Sequence, residues 1–139
     1  MTIKGRMPMI DHLSSYATDY PKTRDFYLET LSALGYPLVM ELIAEWNSEF
    51  PSQRMCAFGS DNKPVFWIIE TKTPHTPRHI AFTAADRDAV SRFYQLALEH
   101  GGQCNGQPGL RPHYHAHYFG AFVLDPDGNN VEAVCHQPQ

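Results

Sequence analysis

The chain has 139 residues and a formal net charge of −4. That length makes one domain with a real core. The acidic balance, with Lys and Arg scattered and never in a run, excludes nucleic acid as the main partner, and no apolar stretch is long enough to cross a bilayer.

The first predicted element is a short strand, Met9 to Ala17. A helix follows, with Asp19 as its cap and Pro21 in its first turn. Tyr27, Leu31 and Leu34 fall at i, i+4 and i+7 on one face, and Gly35 ends the helix. Pro37 to Ile43 and Met55 to Gly59 read as strands. A turn over Ser60 to Lys63 leads into a third, Val65 to Glu70. The segment Thr71 to Pro77, with two prolines and three threonines, reads as an extended linker.

The same order then returns. Arg78 to Ala84 is a strand, Asp86 caps a helix, and Val90, Phe93, Tyr94, Ala97 and Leu98 form its buried stripe. Gly101 and Gly102 stop it. A short strand near Gln103 and Cys104 precedes a long polar loop, Gly106 to His117. Tyr118 to Leu124 turns at Asp125-Pro126-Asp127-Gly128 into Asn130 to Val134. Asp-Gly between two apolar runs is a hairpin signal. The fold class is therefore α+β, built as two tandem βαβββ modules in one domain. Module one is 8–71, the linker 72–77 and module two 78–136.

A shift of 67 residues superposes the two halves: His12 falls on His79, Ala17 on Ala84, Asp19 on Asp86 and Phe26-Tyr27 on Phe93-Tyr94. A duplicated module that pairs with itself brings equivalent positions together. Two such imidazoles make half of a metal site. Period-two alternation puts His12, Ser14 and Tyr16 on one face, and His79, Ala81 and Thr83 on another. The small neighbours Ser14 and Ala81 leave room for a ligand. Glu132 interrupts the apolar run Val131 to Val134, and a carboxylate there needs a cation. Two imidazoles and a carboxylate suit Zn, Ni, Co, Mn or Fe(II). Glu70 ends the equivalent strand of the first half. Alignment through the two hairpin turns puts Phe66 opposite Glu132, so Glu70 becomes a fourth ligand only if the first hairpin is longer; it is also a candidate proton carrier.

The stretch Leu110 to Tyr118 carries Arg111, His113, Tyr114, His115 and His117. As a loop over a cleft it offers Arg111 to a carboxylate or phosphate, Tyr114 to substrate contact, and His115 to proton transfer. Trp67 borders the same cleft. His75, His100 and His136 read as surface residues.

The segments Ile10-Asp11-His12-Leu13, Phe26-Tyr27-Leu28, His79-Ile80-Ala81-Phe82 and Phe122 to Glu132, in this order, resemble the vicinal oxygen chelate superfamily. This is the glyoxalase, bleomycin-resistance and ring-cleaving dioxygenase group. The resemblance spans almost the whole chain. It implies curved mixed sheets enclosing a cleft, with one divalent metal ion held by His12, His79 and Glu132. It implies a small oxygen-chelating substrate and an enolate-like intermediate stabilised by a Lewis acid. A lyase or isomerase of glyoxalase type comes first. An Fe(II) extradiol-type dioxygenase, or a drug-sequestering binding protein without turnover, is the alternative. A homodimer is expected from the same source. Three cysteines without CxxC spacing read as free thiols. With no apolar leader in Met1 to His12, they point to a cytoplasmic protein.

Overall fold

The computed structural model describes residues 8–139. The leader reading falls mostly on residues 1–7, outside that range. Ten elements follow one another: β1 (Leu13–Ala17), α1 (Tyr20–Ser32), β2 (Leu38–Ile43), β3 (Arg54–Phe58), β4 (Phe66–Glu70), β5 (His79–Thr83), α2 (Arg87–Glu99), β6 (Gln103–Leu110), β7 (Phe119–Leu124) and β8 (Asn130–Cys135). They form two four-stranded mixed sheets with the same internal order, β1-β4-β3-β2 and β5-β8-β7-β6. In each sheet the first and last strands of the module run parallel and the rest antiparallel.

The helix ends follow from local chemistry. Asp19 accepts from the Lys22 amide at 3.4 Å and Asp86 from the Ala89 amide at 2.8 Å, so each cap satisfies one orphan donor of a first turn. Gly35, at φ +89°, lets Tyr36 return its N–H to Leu31. A side chain is disfavoured in that left-handed region.

One core serves both modules. Phe26, Tyr27 and Leu31 of α1 share it with Val90, Phe93 and Ala97 of α2, Ile68 of β4, and Val123 and Val131 of the second sheet. The β7–β8 turn crosses to the other module. The Tyr27 hydroxyl donates to Asp125 Oδ2, and Asp125 Oδ1 accepts from the Asp127 and Asn129 amides, both at 2.9 Å. Asp127 in turn accepts from the hydroxyls of Thr18 (2.7 Å) and Thr23 (3.1 Å).

Two expectations need correction. The first strand begins at Leu13, not Met9, which leaves His12 outside it and exposed. The Leu13 amide already reaches the Val65 carbonyl, and the Val65 N–H that would extend the ladder toward Asp11 donates instead to Phe58 O. The expected loop from Gly106 is mostly strand. β6 runs to Leu110 by shifting register around Gly106 and Gly109. Such irregularities let an edge strand carry Pro108. The loop proper is Arg111 to Tyr118.

Candidate metal and substrate site

The sheet registers decide which positions are equivalent. Ser14 pairs with Trp67, and Ala81 pairs with Glu132. Ser14 and Ala81 are repeat partners, so Glu132 corresponds to Trp67 and not to Phe66. The first module thus places an indole where the second places a carboxylate. Glu70 lies three residues beyond Trp67, on the side of Phe66 and Ile68 that faces the core. The guanidinium of Arg54 grips it at 3.0 and 2.7 Å, and the Arg54 amide adds a bond at 3.0 Å. These Arg54 hydrogen bonds hold the Glu70 carboxyl below the usual range, against a smaller opposing effect of burial.

His79 and Glu132 do come together. Glu132 points away from Val131 and Ala133, and only 3% of its side chain is exposed, against 49% for His79. His79 Nε2 lies 3.1 Å from Glu132 Oε1. Its other nitrogen, Nδ1, is 3.0 Å from the Asn130 carbonyl oxygen. A carbonyl can only accept, so Nδ1 carries a proton. In the neutral ring Nε2 is then a lone pair aimed at a carboxylate. Either a second proton or a cation must sit between them. A backbone carbonyl on the remote ring nitrogen is also the usual support of a metal-bound imidazole. The donor chemistry fits a divalent ion.

The rest of the site is built around this pair. Phe122, cross-strand from Glu132, stacks on the His79 ring with centroids 6.2 Å apart. Arg111 lies over Phe122, its Cζ 5.4 Å from the ring centroid. Its Nη1 donates to Gly109 O at 2.9 Å and its Nη2 to Gln107 O at 2.7 Å. Two of its five N–H groups are used in this way; among the described residues the others have no hydrogen-bond partner. Gly106 makes this possible: a Cβ there would stand 2.9 Å from Phe122 Cδ1 and 3.3 Å from Arg111 Nη2.

Tyr118 donates its hydroxyl to Glu132 Oε2. Burial, and then this hydrogen bond, push the phenol well above its ordinary pKa. The Tyr114 ring lies tilted against Tyr118, with centroids 4.7 Å apart, and is itself exposed. His115 Nδ1 accepts from the His117 amide at 3.1 Å, so its proton is on Nε2, which donates to His136 Nδ1 at 2.9 Å.

His12 stands apart. Its Nδ1 pairs with Asp11 at 2.7 Å. Among the described residues no three His, Cys, Asp or Glu side chains converge on a metal position. Trp67 is half-buried on the first sheet, between Ser14 and Ala57. Tyr118 and Phe122 were given no site role from sequence, and His136, read as a surface residue, is exposed. The signal was present in the hairpin: with Phe122 opposite Glu132, even spacing puts Tyr118 and Gly120 on the same face.

The profile of the Glyoxalase/Bleomycin resistance protein/Dioxygenase superfamily matches residues 9–133. The chain belongs to this superfamily. Among solved members, a glyoxalase/bleomycin resistance protein from Albidiferax ferrireducens T118 is 25% identical. It aligns over 94% of this chain and 100% of its own, with a TM-score of 0.71. A V278E mutant of glyoxalase I from Zea mays is 19% identical with a TM-score of 0.67, and the match covers 90% of this chain but 45% of that one. A glyoxalase-related enzyme from Fulvimarina pelagi is 16% identical over 93% of this chain and 88% of its own, with a TM-score of 0.65. At these lower identities the likeness is one of fold. No curated protein matches. Like those superfamily structures, this chain has the α+β architecture of paired modules. No helix among its described residues is long and apolar enough to cross a membrane.

Proposed function

We propose that this protein is a divalent-metal-dependent enzyme of glyoxalase type, a lyase or isomerase acting on a small oxygen-chelating substrate. The observation that carries this reading is the buried Glu132 carboxyl group facing Nε2 of His79 at 3.1 Å. His79 and Glu132 supply two donors. The third is His12, brought by the second subunit of a homodimer, since one chain does not group it with the other two. The half-buried Met55, Trp67 and Ile69 of the first sheet suit such a contact. Together these residues would hold a Zn, Ni, Co, Mn or Fe(II) ion, which would supply Lewis acidity to neighbouring substrate oxygens, the chemistry that favours an enolate-like oxyanion. Arg111 binds an anionic group of the substrate, and Phe122 and Tyr114 give it an aromatic wall. Glu70 is committed to Arg54, so proton transfer falls to His115 once its Nε2 leaves His136.

A set of two imidazoles and one carboxylate also suits Fe(II) oxygen chemistry. A dioxygenase is therefore the second reading, and oxygen uptake by anaerobically iron-loaded protein separates the two.

Elemental analysis tests the centre. Wild type should hold one metal per chain, while His12→Ala and His79→Ala should each hold none. Unfolding the two variants together and refolding them gives about half mixed dimers, each with one intact site. Roughly a quarter of the wild-type metal should return. Full metal in His79→Ala would refute the assignment of that residue. No recovery in the mixture would refute the shared site.

A further inference from the structure

We propose that Tyr118 is a positioning residue that makes Glu132 a donor through one oxygen only. The inference rests on the metal-site reading above and goes beyond it, because it concerns how the carboxylate is presented.

The two oxygens of Glu132 have different partners. Oε1 faces His79 Nε2 at 3.1 Å, and Oε2 accepts the Tyr118 hydroxyl. An oxygen that already accepts a phenolic proton is a poorer second donor to a cation, and it fixes the plane of the carboxylate. The space for this bond comes from Gly120. A Cβ at that position would stand 3.3 Å from both Glu132 Oε2 and Tyr118 Cε1.

Tyr118 is itself held before any ligand arrives. Its carbonyl accepts from the Arg111 amide at 2.8 Å, and its amide donates to His115 O at 3.2 Å. Its ring meets those of His115 and His136 edge-on, with centroids 5.6 and 5.4 Å away. Those two imidazoles are joined to each other at 2.9 Å. The loop is thereby clasped to the segment just after β8, and the clasp bears on the phenol.

The consequence is a matter of coordination number. Two imidazoles and one carboxylate oxygen leave more positions open than the same set with a bidentate carboxylate. A substrate that chelates through two oxygens needs two adjacent open positions. Tyr118 keeps them open.

Cobalt(II) titration of the whole protein tests this, read by visible absorption and by affinity. Tyr118→Phe should keep the wild-type far-UV circular dichroism, bind Co(II) about tenfold or more differently from wild type, and show a changed d–d spectrum as the freed oxygen joins the ion. Gly120→Ala keeps the phenol but crowds the same contact, and should move the spectrum in the same direction. It therefore provides the test if Tyr118→Phe does not fold. Wild-type affinity and spectrum in a folded Tyr118→Phe, or in a folded Gly120→Ala, would overturn the role of Tyr118 and leave the metal site standing. A wild type that binds no Co(II) would overturn both.

Discussion

Replacing Glu132 by Gln separates a metal carboxylate from a structural one. The amide keeps the shape of the side chain. Its oxygen still accepts from Tyr118, and its NH2 donates to the lone pair on His79 Nε2, while Nδ1 still donates to Asn130 O. Every polar atom of the pair stays satisfied, so metal-free stability should change by no more than about 1 kcal/mol. With metal the two proteins should diverge. A ligand at a hundredfold its Kd stabilises the folded state by about 2.7 kcal/mol. A chain of 139 residues unfolds with an entropy of about 0.3 kcal/mol per kelvin. Wild type should therefore gain about 9 °C in Tm on adding metal, and Glu132→Gln almost nothing. Differential scanning calorimetry with and without chelator measures both. An equal shift in the variant would refute Glu132 as a ligand. A fall of several kcal/mol without metal would show instead that the carboxylate balances a protonated His79.

Tyr27→Phe removes the donor to a buried, charged acceptor and should cost about 2 kcal/mol, or roughly 7 °C in Tm; a change under 2 °C in a thermal melt would show that Asp125 is satisfied without it. Arg54→Met tests the ion pair with Glu70. The folded carboxyl lies below its unfolded value, so the pair contributes above about pH 4.3 and its contribution fades as pH falls through the lower folded value. Unfolding free energies from urea titrations should differ by less than about 1 kcal/mol at pH 7, because the guanidinium is half-exposed, and should coincide near pH 2.

The repeat was readable because caps and stops are local. Asp19, Asp86, Gly35 and the turn at Asp125 to Gly128 each act within four residues of themselves. The pairing of His79 with Glu132 was also within reach, since a parallel βαβββ module brings its first and last strands together. Register was harder. Whether Phe66 or Trp67 matches Glu132 depends on the loop lengths of both hairpins, and sequence alone fixes neither. The path of β6 was hidden for a related reason: Gly106, Pro108 and Gly109 read as loop residues until β7 lies beside them. Tyr118 and His136 were missed because each is informative only through a partner distant in the chain.

The contact of Tyr27 with Asp125 bears on how the molecule can have been assembled. Each half donates its own helix and sheet, yet the second hairpin is anchored in the first half, on Tyr27 and Thr23 of α1 and on Thr18 just before it. Separating the halves would uncover Asp125 and take away the phenol that serves it, leaving it only the donors of its own turn. Any motion that spread the two apart would first have to break that knot.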